Sequence, residues 1–393
     1  MTAFSQSGTR GPAPVMPQMR VLYPKLKGWS IDHALPLWAN AGRDTLRGGF
    51  HERLSLDGTP ITNVARRATV QARQTYVYAQ AHLLGWYDGK ALAAEAVELL
   101  LTKFRSPDGK PGYVFSMAPD GSVANPARET YAHAFVLFAL AWYYRLTRDA
   151  QALSAADELL AFLDEQVAAM RGGFGEGLPA SDDIRRQNPH MHLFEAMIAL
   201  HQATGDARYL ARGAEIFGLF TSRFFDTGTG SLIEYLDQDL VELRNSAGPL
   251  REPGHHYEWI WLMRHFERLS GRRVGRHADA LYAHADRFGW DADGFVVDEV
   301  NADGSVAKAS RRAWPHTECL KANLVEAEEG RPDADKRCAV AASRLLDTYL
   351  SGTVQGGWRD HFGPDGRLLV DYMPASTFYH VFCAVAEAER VLG

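Results

Sequence analysis

Six times along the chain, at intervals close to sixty residues, a glycine precedes an aromatic or aliphatic residue, usually with an acidic residue and a turn close by. The segments are Gly49-Phe50-His51-Glu52, Gly112-Tyr113-Val114, Gly173-Phe174-Gly175-Glu176, Gly230-Ser231-Leu232-Ile233-Glu234, Gly294-Phe295-Val296-Val297-Asp298 and Gly357-Trp358-Arg359-Asp360. Residues 50, 113, 174, 232, 295 and 358 are spaced by 63, 61, 58, 63 and 63, the mark of a repeat architecture. Such a repeat constrains the fold before any catalytic motif is weighed, because each unit must bury its apolar faces against its neighbours.

Between the glycine segments the apolar residues take a helical period, and each interval holds two such stretches separated by a turn. They run from Arg66 to Trp86 and Ala91 to Phe104, Glu129 to Thr147 and Gln151 to Met170, His190 to Thr204 and Ala207 to Phe224, His255 to Ser270 and Val274 to Phe288, and Ala313 to Glu329 and Asp333 to Leu350. One more helix near Tyr23 to Leu46 and another from Ala375 to Val391 make twelve. Asp57-Gly58 and Asp365-Gly366 supply tight turns, so the glycine segments read as six hairpins. An open solenoid has polar capping units, whereas the last helix, Phe378-Tyr379-His380-Val381-Phe382-Cys383-Ala384-Val385-Ala386, is as apolar as the internal ones. The pattern therefore predicts an all-α protein, an (α/α)6 barrel with short β-hairpins at one end. Residues 19–393 form its single catalytic domain, and residues 1–18, rich in Ser, Gly and Pro, read as a disordered N-terminal segment.

Nine Trp and 11% aromatic residues suit a stacking-lined pocket, and a net charge of -6 with no concentrated run of Lys and Arg argues against nucleic acid as a partner. Three cysteines without CxxC spacing suggest neither a disulfide framework nor a cysteine zinc site. With no apolar run long enough for a signal peptide or membrane span, the expectation is a cytoplasmic protein, monomeric or homodimeric, with no membrane partner.

If connections alternate between the two ends of a toroid, the hairpins gather at one end around a funnel, and the helices that follow them begin there. Arg73, Tyr131, His192, His255, Glu318 and His380 follow their glycine-segment markers by 23, 18, 18, 23, 23 and 22 residues, so these distant polar groups converge. In Pro253-Gly254-His255-His256-Tyr257-Glu258-Trp259, His255 and Glu258 share a helix face, so that the carboxylate either orients the imidazole or holds a substrate hydroxyl. His380, in Ser376-Thr377-Phe378-Tyr379-His380, opens the last helix; the plainer reading of each His is a hydrogen-bonded packing residue.

In Asn188-Pro189-His190-Met191-His192-Leu193-Phe194-Glu195, Asn188 and His192 suit contacts with substrate hydroxyls, and Glu195 either braces His192 or forms a surface pair. A metal is not expected, because His190 and His192 point to different helix faces. Trp314 and Glu318, in Trp314-Pro315-His316-Thr317-Glu318, combine a stacking ring and a hydroxyl acceptor with an ordinary helix start, Pro at its first turn. Arg73, among apolar neighbours, needs a partner: a substrate oxygen, Glu258, or a structural ion pair. Arg185 and Arg186 are either an anchor for a phosphate-bearing ligand or a solvated loop.

Together the Gln187-Asn188-Pro189-His190-Met191-His192-Leu193-Phe194-Glu195-Ala196, Pro253-Gly254-His255-His256-Tyr257-Glu258-Trp259, Trp314-Pro315-His316-Thr317-Glu318 and Ser376-Thr377-Phe378-Tyr379-His380 segments resemble the N-acylglucosamine 2-epimerase superfamily, and within it most closely the mannose isomerase branch. The resemblance spans about Leu22 to Val391. It implies a barrel acting on a free monosaccharide without metal or other cofactor. His255 and His380 would be the acid/base pair, with Arg73, Tyr131, Asn188, His192, Glu258, Trp314 and Glu318 as the substrate-binding shell. The implied reaction is aldose–ketose isomerisation of D-mannose or a close analogue through a cis-enediol, with 2-epimerisation as the alternative. A glycoside hydrolase using Glu258 and Glu318, and a non-catalytic sugar-binding protein, are the rivals from other classes.

Overall fold

The computed structural model describes residues 15–352 and 354–393. Outer and inner helices alternate along the chain. The first outer segment is α1 (Met19–Gly28), a π-helical turn (Trp29–Ala34) and α2 (Leu35–Asn40). There follow inner α3 (Ala68–Leu83), outer α4 (Lys90–Leu99), inner α5 (Thr130–Thr147), outer α6 (Ala150–Phe162), inner α7 (Gln187–Thr204) and outer α8 (Ala207–Leu219). The last are inner α9 (Pro253–Ser270), outer α10 (Gly275–Phe288), inner α11 (Ala313–Glu328), outer α12 (Ala334–Arg344) and inner α13 (Ala375–Leu392). The inner helices are covered all round, as in α3, where every residue from Ala68 to Ala79 is buried, polar Gln71, Arg73 and Gln74 included. The outer helices bury one face and expose the other. Four of them, α4, α6, α8 and α12, run into π-helical turns (Leu100–Phe104, Leu163–Val167, Phe220–Phe224 and Leu345–Tyr349) whose last residue is buried, bringing the chain inward to the next glycine segment.

The ring closes. The α13 helix packs between α11 and α3. Asp335 at the start of α12 accepts the backbone N–H groups of Gln18 and Met19 at 3.1 and 3.2 Å, tying the last outer helix to the orphan donors of the first. Residues 1–14 lie outside the described residues, but Met16 is already buried in the core.

Expected hairpins form, Ser116–Met117 with Val123–Asn125, Phe225–Asp226 with Ser231–Leu232 and Glu299–Asn301 with Val306–Lys308, but the pairing that recurs from unit to unit is a different one. Local turns form at Asp57-Gly58 and Asp365-Gly366, with bridges Leu54 to Pro60 and Phe362 to Leu368. The repeating ladder instead joins successive units: Arg66–Arg67 with Ser116–Met117, Arg128–Glu129 with Gly177–Leu178, Arg185–Arg186 with Tyr235–Leu236, Leu250–Arg251 with Glu299–Asn301, and Arg311–Arg312 with His361–Phe362. The sixth ladder, Arg53–Ser55 with Tyr372–Pro374, runs from the last unit back to the first. Isolated two-residue hairpins are unstable in water, and pairing across units satisfies the rim backbone while stitching neighbouring helix pairs together.

Each glycine segment is also pinned from the unit that follows it. The N–H groups of Phe50, Tyr113, Phe174, Leu232 and Val296 donate to Gln71 Oε1, His133 Nε2, His190 Nε2, His256 Nε2 and His316 Nε2 at 2.8–3.1 Å, and that of Trp358 points to Met373 Sδ at 3.2 Å. On His190, His256 and His316 the Nδ1 is spent on the carbonyl four residues back. In three segments the donor directly follows a glycine with left-handed backbone, Gly49, Gly112 and Gly173 (φ 64° at Gly173), and a Cβ on Gly173 would strike the His190 ring.

Candidate active site

At the hairpin end the first two turns of the inner helices bring together the charged and aromatic groups. Three imidazoles share one arrangement, Nδ1 held by a carboxylate and Nε2 free of protein partners. His255 Nδ1 lies 3.0 Å from Glu234 Oε2, His380 Nδ1 2.8 Å from Glu318 Oε1, and His192 Nδ1 3.0 Å from Glu195 Oε2. A carboxylate on Nδ1 selects the tautomer and aims Nε2. Trp314 joins two of them, its ring centroid 5.1 Å from that of His255 and 5.7 Å from that of His380. The ring fits because residue 254 is glycine; a Cβ there would stand 2.5 Å from the indole.

The two histidines beside Trp314 are driven to opposite charge states. Burial alone pulls the His255 imidazole down, but Glu234 and Glu252 outweigh it and push it up to about 10. Burial pulls His380 well below the usual imidazole range, and the cations Arg73 and Lys321 add to the effect. Paired titratable groups whose environments push them apart are the signature of assigned acid and base roles. Burial likewise brings His192 down to about 4 despite Glu195. Glu258 is held well above the usual carboxylate range, by burial first and then by the neighbouring Glu318.

Arg73 is buried with no carboxylate within ion-pair distance among the described residues. Its guanidinium donates to Tyr131 Oη at 2.7 Å and to the Ser376 carbonyl at 3.2 Å, and lies 4.1 Å from the Phe135 ring centroid. The expected pairing with Glu258 is absent, which leaves the Arg73 charge available to an oxyanion. Asn188 Oδ1 and Glu258 Oε1 are buried without a protein partner, as atoms awaiting a polar ligand would be.

Several expectations are corrected. His255 is braced by Glu234, not by Glu258, which lies instead near Glu318 and His380. Glu318 is tied up by His380 on one oxygen and by the Lys321 ammonium, 2.6 Å away, on the other, so it orients the imidazole and is not a free hydroxyl acceptor. Of the two carboxylates that a glycoside hydrolase would need, Glu318 is thereby engaged by protein groups. Arg185 is buried and donates to the Gly172 carbonyl, and Arg186 pairs with Asp182 and Glu176, so both are rim structure and neither is a free anion anchor.

Four residues of the constellation were not singled out by the sequence pattern. Glu234 is the acidic member of the fourth glycine segment. Gln187 donates to it at 2.8 Å while its own oxygen accepts from Trp259 Nε1 at 2.7 Å, clamping the carboxylate. Tyr379 Oη donates to Glu195 at 2.5 Å, and Lys321 backs Glu318. Glu234 alone carried a signal, its place in the repeat.

Groups of ligand-type atoms lie within 4.8 Å of one another at His192, Glu195 and Glu258, at Glu234, Glu252 and His255, and at Glu258, Glu318 and His380. They fit a metal poorly. The anionic oxygens of Glu195, Glu234 and Glu318 are already bonded to imidazole, hydroxyl, amide or ammonium donors, and Lys321 supplies a buried positive charge beside the third group. His190 turns away to Phe174 and takes no part.

Six inner helices with three imidazole–carboxylate pairs gathered at their hairpin end describe an (α/α)6-barrel enzyme. The chain belongs to the N-acylglucosamine 2-epimerase (GlcNAc 2-epimerase) family, whose profile matches residues 48–384. Mannose-6-phosphate isomerase of Rhizobium meliloti (strain 1021) is 35% identical over 378 residues, covering 94% of this chain and 97% of its own. D-mannose isomerase of Thermobifida fusca is 29% identical over 328 residues, 78% of this chain and 80% of its own. A crystal structure of D-mannose isomerase superposes with a TM-score of 0.86 at 19% identity, covering 97% of this chain and 100% of that one, and supports the fold. The chain is thus a sugar isomerase or epimerase. Among the described residues no helix is long and apolar enough to cross a membrane.

Proposed function

We propose that this protein interconverts D-mannose, or a close analogue, and D-fructose by proton transfer through a cis-enediol. The observation that carries the reading is the pair His255 and His380 on one tryptophan, each anchored through Nδ1 and each with Nε2 free. His255, as imidazolium, donates from Nε2 to the ring oxygen as the pyranose opens, takes up the proton that leaves the C1 hydroxyl, and polarises the new C1 carbonyl through that restored N–H. His380, neutral, removes the C2 proton through its Nε2 lone pair. Arg73 meets the negative charge that develops on the enediolate oxygen, where a preorganised cation is worth most. Trp314 stacks on the sugar, and Asn188, His192, Tyr131 and Glu258 take its hydroxyls. Glu318 acts on the substrate only through His380. His255 protonates O1 to complete the enediol; return of the proton from His380 to C1, with the O2 hydroxyl proton passing to the now neutral His255, yields the ketose.

The presence of a second imidazole beside the same ring favours one further outcome, 2-epimerisation, in which a proton returns to the opposite face of C2. Incubation with mannose, glucose and N-acetylmannosamine in deuterated water, read by NMR, separates the two. Fructose labelled at C1 supports isomerisation and an epimer labelled at C2 supports the second outcome. No exchange into any of the sugars sinks both.

A further inference from the structure

The proposed acid and base account for His255, His380 and their carboxylates but leave Lys321 without a task. Its side chain is completely buried, and an ammonium out of water is costly unless it is well paired. It lies one helical turn beyond Glu318 on α11, with Nζ 2.6 Å from Glu318 Oε2 and 3.8 Å from the Trp261 ring centroid. The other oxygen of Glu318 is 2.8 Å from His380 Nδ1. Ammonium, carboxylate and imidazole thus form an unbroken line that ends at the free Nε2 of His380, and Lys321 stands at the end remote from the substrate.

We infer that Lys321 is a positioning residue for His380: its charge keeps Glu318 ionised, so that Glu318 accepts the Nδ1–H of His380 and leaves the Nε2 lone pair free. The inference rests on reading His380 as the base. Glu318 needs such help because it is buried beside a second carboxyl, Glu258, and carboxyls sharing a site resist joint ionisation. Without the ammonium Glu318 has two courses. It takes a proton and donates it to His380 Nδ1, so that the single proton of the neutral ring sits on Nε2. Otherwise it stays charged and draws a second proton onto the ring, again at Nε2. Both courses occupy the lone pair the reaction uses. The charged and titratable groups facing His380 are Glu318 and Lys321 from α11, Arg73 from α3, His192 and Glu195 from α7 and Glu258 from α9. Among the described residues Lys321 is the cation in ion-pair contact with Glu318, at 2.6 Å, while His192 and His255 act on that carboxylate from farther off.

The test is histidine-¹⁵N NMR of the full chain from about pH 5 to about pH 9, spanning the ordinary imidazole range, with the His380 signals assigned by their loss in His380→Asn. Lys321→Met removes the charge at similar length, and Lys321→Gln keeps a hydrogen-bond donor without charge. In the wild type Nδ1 carries the proton and Nε2 is bare. In both variants Nε2 is protonated at neutral pH, and turnover of mannose falls by about 10²- to 10⁴-fold, the span of general acid–base catalysis, with KM little changed. A folded variant whose His380 signals match the wild type overturns the inference. Should neither variant fold, the wild-type tautomer decides, since a proton on Nε2 there contradicts the proposed line. If the wild type turns over no sugar, the functional reading falls, while the NMR signals still settle what Lys321 does.

Discussion

Replacing Glu234 by Gln tests the acid. The carboxylate is buried, 3.0 Å from His255 Nδ1, and it also accepts from Gln187 Nε2 at 2.8 Å and from the Glu252 N–H at 3.2 Å. Glu234 and Glu252 together lift His255 against burial to about 10, and Glu234 contributes more. An opposite charge at this range is worth about 1–3 pH units, so Glu234→Gln should bring His255 to roughly 7–9. The sign follows from the role: an acid works below its pKa, so the alkaline limb of the rate profile moves down. For a drop of two units the protonated fraction at pH 9 falls from about nine-tenths to about one-tenth, a loss of about ten-fold, with little change near pH 6. Initial rates of ketose formation across this range, measured alongside thermal unfolding, give the answer. The amide sets a donor against Gln187 or His255, so a stability loss of about 1–3 kcal/mol is expected as well. An alkaline limb left where the wild type has it would refute the assignment of His255 as the acid and Glu234 as its partner.

Gly254→Ala places a methyl 2.5 Å from the Trp314 ring and should force the indole off the two histidines; overpacking of about 1–3 kcal/mol, if felt in binding, raises KM by about five- to a hundred-fold in steady-state assays. Arg73→Met should lower kcat/KM by about 10² or more while changing stability by no more than about 1 kcal/mol in urea unfolding, because no carboxylate is left unpaired by its loss. The packing histidines predict acid sensitivity: burial holds His133 at about 3 and His190 and His316 at about 4, below the unfolded value of about 6.5. Their contribution is present above about pH 6.5 and is lost as pH falls toward 4, at up to about 1.4 kcal/mol per pH unit for each. His133→Gln, which copies the Gln71 arrangement, should keep the neutral-pH midpoint and flatten the acid slope measured by urea unfolding at pH 7 and pH 5.

The barrel was legible because its determinant is periodic. Glycine spacing and two apolar helices per interval follow from the chain's need to turn and to bury both helix faces, and the apolar last helix announced closure. The funnel residues were legible for the same reason, since a position counted from each glycine marks the same depth in the barrel. Strand pairing was not, because ladders of two or three residues carry no pattern of their own, and their partners lie a whole unit away. Pair geometry was not legible either. Sequence spacing made Glu258 the natural brace for His255 at i,i+3, yet the inward turn of the fourth glycine segment brings Glu234 to the imidazole first. Lys321 carries no mark in the sequence, because its burial depends on the neighbours that cover every face of its helix.

The acidic member of the glycine segment shows how a repeated structural device becomes a catalytic one. In three units it caps the following inner helix or the strand before it: Glu52 accepts the Arg67 N–H, Glu176 that of Arg186, and Asp298 that of Arg312, and each also pairs with that arginine's side chain. In the fourth unit the corresponding residue is Glu252, an acid, so Glu234 accepts the backbone N–H but has no guanidinium to neutralise. Its free charge turns to the next cation within reach, His255. The adjacent His256 meanwhile keeps the repeat's packing duty, with both ring nitrogens on backbone atoms. One arginine exchanged for a glutamate is thus enough to convert a cap into the partner of an acid. The converse follows: Glu252→Arg should restore the cap, draw Glu234 away and, with a cation now beside the ring, bring the His255 pKa down even though Glu234 is intact. An unchanged alkaline limb in that variant would show that the departure from the repeat is not what charges His255.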